Sequence, residues 1–374
     1  MRIAVIGGGV SGLTFAINRK RNHPEDEIFV FEHLDKLMKK ILATGNGKCN
    51  IANNGDLSSI YNDKRANEIL NKYNYEAQNK FLDSVNIKTK LVGNLSYPIS
   101  ESAATVRNAY LKEIDSLGVK VYLNTTVIDY SFKDGKYDIK TNNGDFIFDK
   151  IVISTGGKSS PKLGSDGSLL PLFTRHGYRL KDFQPALCPI YTVEKTKILD
   201  GIRVKANVSL LDNNQIIFNE DGEVLFKDKG LSGMVIFNLS RKIAQNINHK
   251  YQIKIDLLPT IDKKELTAFQ NKRNKETLLN SYLHPSIAIY LLDKGGDVIE
   301  NIKSLTFTYD KLYGFDNSQI SVGGISLEEI NNNLESNREK GVYFIGEVLD
   351  IDAPCGGYNL MWAIGSALYI SEIM

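Results

Sequence analysis

The first twelve residues constrain the fold of this chain most strongly. Arg2–Ile6 has the pattern of a short buried strand, the sequence Gly7-Gly8-Gly9-Val10-Ser11-Gly12 follows directly, and residues 13–19 continue as a helix. In this G-x-G-x-x-G pattern the first glycine allows a tight turn, the second lets a pyrophosphate approach the backbone, and the third lets the helix pack closely on the strand. The free N–H groups of the helix N-terminus also favour phosphate. The pattern therefore predicts a dinucleotide-binding α/β domain, with a glycine turn that holds no ligand as the alternative.

An acidic residue at the end of the second strand supports the same prediction. The strand Ile28–Phe31 ends at Glu32, about twenty residues after Gly12, where an acid of this fingerprint accepts hydrogen bonds from a ribose. A carboxylate here also repels a 2′-phosphate, so NADP is disfavoured at this site.

Composition excludes several other classes of protein. Hydrophobic residues make up 42% and charged residues 24% of the 374 residues, as in a globular protein of two or three domains, and the net charge of +2 does not indicate a nucleic-acid or membrane partner. Three cysteines lie far apart in the sequence, which argues against a disulfide framework, a redox pair and a zinc site. A nucleotide strand that begins at residue 2 leaves no room for a signal peptide, and no apolar run approaches the length of a membrane span. We therefore expect a cytoplasmic protein with a small-molecule substrate; its oligomeric state stays open.

Three further segments have the character of ligand loops. Residues 44–50 combine small and amide side chains around Gly45-Asn46-Gly47 and could wrap a cofactor or form a solvated turn. Thr155-Gly156-Gly157 follows the buried strand 150–154, and Gly346-Glu347 follows the strand 341–345. The carboxyl ends of such strands are where an open α/β sheet binds its ligand.

The C-terminal segment extends the predicted site beyond one nucleotide. Gly356-Gly357-Tyr358-Asn359 leads into a helix over residues 360–373, which gives a second N-terminus suited to an anion. A chain with ligand loops at both ends suits FAD better than NAD, with the adenine half on residues 1–32 and the flavin half closed by residues 346–360. Met361 and Trp362 have helical spacing with apolar neighbours and are interpreted as core residues.

Periodicity gives the remaining organisation. It predicts helices over residues 66–85, 102–117, 168–177 and 234–246, a mostly helical region over 262–302, one strand over 119–127, and separate strands over 215–219 and 223–226. We expect a Rossmann-like FAD-binding domain over 1–188 and 319–374. It would be interrupted by a β-rich domain over 189–260, a helical insertion over 261–303 and a return strand within 304–318.

Four long motifs resemble one bacterial family. They are residues 41–50 (ILATGNGKCN), residues 154–161 (STGGKSSP), residues 228–233 (DKGLSG) and residues 346–352 (GEVLDID) with 356–359 (GGYN). The chain resembles the BaiN-type NAD(P)/FAD-dependent flavoproteins, described as aminoacetone-oxidase-like, and more distantly the fumarate reductase and aspartate oxidase flavoproteins. The resemblance covers nearly the whole chain, although the helical insertion is short and Met234 stands where the family pattern has proline.

The resemblance implies a glutathione-reductase-like FAD domain with inserted β-barrel-like and helical subdomains. In it Val127 matches a position that contacts adenine through the backbone, and Glu347 matches the acid that holds a ribityl hydroxyl. The residues predicted to bind FAD are Gly7, Gly9, Val10, Ser11, Gly12, Glu32, His33, Lys40, Thr44, Gly45, Asn46, Gly47, Cys49, Asn50, Val127, Thr155, Gly156, Gly157, Gly324, Gly346, Glu347, Gly357, Tyr358 and Asn359.

These features predict an FAD-dependent oxidoreductase that passes hydride or electrons between the flavin and a small organic substrate or NAD(P)H. A second G-x-G-x-x-G after a strand is absent, which argues against a dedicated NAD(P)H domain, and the cysteine spacing argues against a disulfide reductase. The catalytic acid–base group is left unassigned among Lys48, Lys229 and the histidines. Two alternatives remain, a flavin- and folate-dependent tRNA methyltransferase and a non-catalytic FAD-binding module.

Overall fold

The computed structural model describes residues 1–374 as two compact units, Met1–Gln184 with Gln319–Met374, and Pro185–Ser318. The helices of the first unit are α1 Val10–Asn22, α2 Lys64–Lys72, α3 Tyr75–Ser84, α4 Ala103–Ser116, α5 Leu170–Arg175 and α11 Tyr358–Ile373. Its strands are β1 Arg2–Ile6, β2 Glu27–Phe31, β3 Ala52–Asn53, β4 Thr89–Val92, β5 Leu95–Pro98, β6 Lys120–Tyr122, β7 Val127–Lys133, β8 Lys136–Thr141, β9 Gly144–Phe148, β10 Lys150–Ile153, β11 Leu180–Ala186, β18 Ile320–Ile325 and β19 Val342–Phe344.

A five-stranded parallel sheet organises the first unit. Its order is β19-β10-β1-β2-β6. The central strands are almost wholly buried, as their runs of Ile, Val and Phe predict for a parallel sheet covered on both faces. Because all five strands run in one direction, the loops after β1, β10 and β19 emerge at the same edge of the sheet. α1 and α11 pack against each other, so the two ends of the chain share one core.

The second unit is a closed antiparallel barrel with attached helices. The strand order around the barrel is β12-β15-β14-β13-β16-β17. Its strands are β12 Ile190–Thr192, β13 Arg203–Asp212, β14 Gln215–Lys227, β15 Gly230–Ser232, β16 Tyr251–Asp256 and β17 Leu305–Leu312, and its helices are α6 Met234–Gln245, α7 Lys263–Lys272, α8 Lys275–Tyr282, α9 Pro285–Lys294 and α10 Val298–Lys303. The fold class predicted from the sequence, a Rossmann-like domain with β-barrel and helical insertions, is confirmed.

Three predicted elements were wrong in detail. The helix over 66–85 is two helices, because the Asn74 side chain accepts a hydrogen bond from the Ala77 N–H and begins α3 there. The single strand over 119–127 ends at Tyr122 and a new strand, β7, begins at Val127. The two strands over 215–226 are one strand, β14, in which Gly222 pairs with Ala206. A Cβ atom at Gly222 would lie 2.9 Å from Val235 Cβ, so this glycine serves close packing by α6 and not a turn.

Trp362 belongs to the core, as its spacing predicts, and its exposed fraction is 2%. None of the eleven helices combines the length and the hydrophobicity that crossing a bilayer requires.

Candidate functional site

The glycines of the opening turn have separate structural roles. Gly7 has a φ of +110°, and a Cβ atom there would lie 2.5 Å from the Ser154 carbonyl oxygen. A Cβ atom on Gly12 would lie 2.2 Å from the Gly7 carbonyl oxygen, so Gly12 allows the close contact of α1 with the turn. A Cβ atom on Gly9 would meet nothing within 4 Å. Since no side chain caps the N-terminus of α1, this open space lies beside N–H groups that a phosphate could use.

Glu32 is held against the same turn. One carboxylate oxygen accepts a hydrogen bond of 2.9 Å from the Gly8 N–H, and the other accepts one of 2.9 Å from the Leu34 N–H. The His33 ring lies 3.1 Å from the carboxylate, and its hydrogen bond to Glu32 raises the pKa of His33. A carboxylate oxygen has two lone pairs, so the fixed Glu32 keeps acceptor capacity for ribose hydroxyls.

The loops after β10 and β19 meet at a second acid, Glu347. The Lys40 ammonium group donates to Glu347 at 2.7 Å and to the Ser159 hydroxyl at 2.6 Å. The other Glu347 oxygen accepts a hydrogen bond of 2.8 Å from the Ser321 N–H. A Cβ atom on Gly157 would lie 3.0 Å from the Glu347 carboxyl carbon, so this glycine allows the close approach. The structure thus brings together an acid and a base that are 307 positions apart in the sequence.

The two ends of the chain meet at Gly346. A Cβ atom there would lie 2.9 Å from the Ser11 hydroxyl oxygen in the first turn of α1. The Trp362 indole N–H donates to the Gly346 carbonyl at 3.1 Å, and the Gly346 N–H donates to the Ser366 hydroxyl at 3.1 Å. Trp362 therefore fixes the loop after β19 in addition to filling the core.

The loop at residues 44–50 reaches the N-terminus of α11. In the amide orientation that satisfies its neighbours, Asn50 accepts from the Gly357 N–H at 3.2 Å and donates to the Ser96 carbonyl at 3.1 Å. Gly357 has a φ of +88°, and its Cβ atom would lie 2.7 Å from the Ala52 carbonyl oxygen. No side chain caps the N-terminus of α11, as is also the case for α1, α4 and α5 in this unit.

Several residues predicted to bind FAD have structural contacts that explain their presence. Gly324 packs on the backbone, since its Cβ atom would lie 2.4 Å from the Val348 carbonyl oxygen. The Asn359 side chain bonds the N–H and carbonyl of Ala353. Cys49 is fully buried, and burial raises the pKa of its thiol to about 11. Val127 is buried at the start of β7. Their contacts with FAD stay predictions, as do those of the other predicted residues.

Sequence reasoning missed a segment that supports the C-terminal loop. Asn53 donates to the Gly356 carbonyl at 2.8 Å, Tyr61 donates to the Tyr358 carbonyl at 2.7 Å, and Asn62 donates to the Asp350 carbonyl at 3.0 Å. The only signal in the sequence is the density of asparagine after residue 49, and asparagine is common in turns without any such role.

The donor and acceptor set fits FAD. The N-termini of α1 and α11, the open space at Gly9, and two acids with hydrogen-bond capacity, Glu32 and Glu347, match the phosphates, the ribose and ribityl hydroxyls, and the ring end of one extended cofactor.

The family model described as "HI0933-like protein Rossmann domain" matches residues 1–372. The chain belongs to this HI0933-like family. It is similar to the 3-dehydro-bile acid delta(4,6)-reductase of Clostridium scindens, with 31% identity over 97% of this chain and 96% of that protein. It is similar to the ribosomal RNA dihydrouridine synthase of Haemophilus influenzae, with 25% identity over 97% of this chain and 96% of that protein. Among solved structures, a quinol-fumarate reductase with menaquinol has the same fold, with a TM-score of 0.54 and 14% identity over 99% of this chain and 70% of that one.

Membership of the HI0933-like family confirms the predicted resemblance. Together with the site geometry, it agrees with the prediction of an FAD-binding flavoprotein of the oxidoreductase class.

Proposed function

We propose that this protein is an FAD-dependent reductase that saturates a carbon–carbon double bond conjugated to a carbonyl group in a small apolar molecule. The observation that supports this most is the 31% identity, over 97% of the chain, to a relative named as a reductase of 3-dehydro bile acids at positions 4 and 6. The second relative is named for forming dihydrouridine, and a uracil ring also has its double bond beside a carbonyl. The two names therefore share one reaction chemistry, and a member of the same family is expected to use it.

The residues of the first unit would bind and orient the cofactor. The N–H groups at the start of α1 and the open space at Gly9 would take the pyrophosphate, and Glu32 would take the adenosine ribose. Glu347, held by Lys40 and Ser321, would accept from the ribityl chain. Bound FAD supplies hydride transfer to the substrate. The positive end of α11 would stabilise negative charge at the ring end.

We assign cofactor binding to residues 1–188 and 319–374 and substrate selection to residues 189–318. NADH or NADPH is the proposed electron donor, and the three free cysteines suit a reducing cytoplasm. A folate-dependent methyltransferase is less well supported, because the two relatives described above are named for reductions. The reactive cysteine that it would need beside the flavin could only be Cys355, since burial of Cys49 and Cys188 raises the pKa of both thiols.

The test has two stages. The visible spectrum of the purified protein, before and after reconstitution with FAD, shows whether flavin binds. Anaerobic reduction by NADH or NADPH is then followed by addition of a 4-en-3-one or 4,6-dien-3-one steroid, with the saturated 3-ketone as control. We expect reoxidation of the flavin and a saturated ring with the enones, and neither with the ketone. A protein that refuses FAD, or that reduces the ketone carbonyl as readily as the enone, would show that the proposal is wrong.

Reduction of uridine in ribosomal RNA is the second candidate. It is favoured by the relatives of 25% and 24% identity that carry this name. Incubating the reduced protein with ribosomal RNA and digesting the RNA for mass spectrometry would detect a gain of two mass units on uridine. A positive result there with no enone turnover would replace the steroid-like substrate class with RNA and leave the reaction chemistry unchanged.

A further inference from the structure

A short segment of the first unit supports the loop before α11 from one side. The segment is residues 53–62, here called the brace, and it contacts the loop at two points and the first residue of α11 at a third. Asn53 and Tyr61 are buried, with exposed fractions of 4% and 7%. Asn53 donates to the Gly356 carbonyl in the loop and Tyr61 donates to the carbonyl of Tyr358, the first residue of α11, although neither donor is in the set expected to touch FAD.

The brace is itself held in place. Asn53 lies in β3, which pairs with β5, and its side-chain oxygen accepts from the Gly55 N–H at 2.8 Å. That bond leaves the Asn53 amide nitrogen directed at the Gly356 carbonyl. Asn62 both donates to the Asp350 carbonyl at 3.0 Å and accepts from the Asp352 N–H at 2.9 Å. These contacts therefore fix the orientation of the Asn53 and Asn62 side chains as well as their distances from the loop carbonyls.

The bond from Tyr61 acts on a peptide group that also carries an N–H in the first turn of α11. The Tyr358 carbonyl shares a planar trans peptide with the Asn359 N–H, whereas the Gly356 carbonyl shares one with the Gly357 N–H, which donates to Asn50. Holding the carbonyl oxygen fixes the opposite direction for the N–H. A donor on the carbonyl also polarises the peptide and makes its N–H a stronger donor.

The loop needs such support because its backbone is unusual. Gly356 has a φ of +127° and Gly357 has a φ of +88°, which are conformations that glycine adopts at little steric cost but that no side chain of its own enforces. Nothing caps the first turn of α11. The direction of its free N–H groups therefore depends on contacts from outside the helix.

We propose that the brace sets the direction and strength of the Asn359 N–H at the start of α11, and that Tyr61 is a positioning residue that raises the reduction potential of the bound flavin. The inference rests on the proposed function, since it requires FAD with its ring end at α11. Reduced flavin carries negative charge that the oxidised form lacks, so weaker or misdirected N–H groups destabilise the reduced form more.

The test compares three variants of the full-length FAD-loaded protein. Tyr61→Phe removes one hydroxyl group and keeps the ring that stacks edge-on against Tyr358. Asn62→Ala loosens the brace at an exposed position. Tyr137→Phe is the matched control, because the Tyr137 hydroxyl donates to the Lys340 carbonyl at 2.9 Å and its side chain is also buried. The readouts are the flavin midpoint potential, the dissociation constant of oxidised FAD and the melting temperature.

We expect Tyr61→Phe to favour oxidised over reduced flavin by about three- to tenfold, where tenfold corresponds to about 30 mV for a two-electron couple. Asn62→Ala should shift the potential in the same direction by less, and Tyr137→Phe should not shift it. If these residues were purely structural, their variants would have a lower melting temperature and would bind oxidised and reduced FAD more weakly by the same factor, which leaves the potential unchanged. If wild-type protein binds no FAD, the proposed function fails. If wild-type protein binds and cycles FAD, and Tyr61→Phe and Asn62→Ala match Tyr137→Phe in potential, only the brace is wrong.

Discussion

Alanine substitution at Gly9 and at Gly12 distinguishes a glycine required for ligand binding from a glycine required for folding, because each substitution adds one methyl group. The backbone of Gly9 has a φ of −81° and a ψ of −173°, which any residue adopts, and its Cβ atom would have no neighbour within 4 Å. Alanine at this N-cap position is a weaker cap than glycine, so Gly9→Ala should change the free energy of unfolding by at most about 1 kcal/mol.

The same methyl group at Gly12 has no space. Its Cβ atom would lie 2.2 Å from the Gly7 carbonyl oxygen and 2.6 Å from the Ser154 hydroxyl oxygen, and the nearer atom is backbone. The turn or α1 must therefore shift. Overpacking of this kind costs about 1–3 kcal/mol and sometimes more, so Gly12→Ala should be clearly destabilised even without cofactor.

FAD binding, unlike stability, should be strongly impaired by the substitution Gly9→Ala. A methyl group there fills the open space beside the N-terminus of α1 and keeps a pyrophosphate from the backbone. A loss of at least tenfold in FAD affinity, about 1.4 kcal/mol, is expected for Gly9→Ala. Urea unfolding of the apoproteins and FAD titration by flavin fluorescence measure the two effects. The reasoning is refuted if Gly9→Ala binds FAD as wild type does, or if apo Gly12→Ala unfolds at the wild-type urea midpoint.

Three further predictions follow from the site and its surroundings. Glu32→Gln should lower the unfolding midpoint, because a glutamine amide has one acceptor oxygen and cannot accept from both the Gly8 and the Leu34 N–H groups. It should also weaken FAD by about tenfold, since hydrogen bonds to a charged group contribute about 1.5–3 kcal/mol; urea unfolding and equilibrium titration against the exposed strand variant Glu27→Gln check this. Gly357→Ala should weaken FAD or shift its potential, because its Cβ atom would clash with the Ala52 carbonyl, and an unchanged redox titration would contradict it. A hydrogen bond from Arg338 lowers the pKa of Glu329 to about 2 from 4.5. Its stabilisation is therefore full above pH 4.5 and is lost as the pH falls towards 2, so urea midpoints of wild type and Glu329→Gln should converge on acidification.

Local chemistry made the opening turn predictable. Only glycine accepts the φ of +110° at position 7 without strain, and only glycine fits at position 12. The acid at the end of β2 follows from the length of a strand–helix–strand unit. These constraints act over about thirty residues, and the structure has the turn and the acid in contact, with Gly8 donating to Glu32.

Contacts between distant segments could not be predicted in the same way. The Lys40–Glu347 ion pair and the contact of Gly346 with Ser11 exist because β10 joins the sheet beside β1 and β19 joins it beside β10. The presence of a glycine or a lysine at one position carries no information about the order of the strands in the sheet. The strand β14 was misread for a related reason: Glu220-Asp221-Gly222 has the composition of a turn, but its backbone groups are paired with β13.

The same sheet order explains why the cofactor is better determined than the substrate. Three glycine-containing loops emerge at one edge because their strands are parallel neighbours, and each has a position where a Cβ atom would overlap a neighbouring atom: Gly7 against Ser154, Gly157 against Glu347 and Gly346 against Ser11. A side chain at any one of them would overlap a neighbouring segment, so the predicted cofactor-binding edge is strongly constrained. The barrel and helices of residues 185–318 form a compact unit with its own core. Relatives of one family are named for substrates as different as a bile acid and an RNA base, as expected if substrate selection rests on side chains of this second unit.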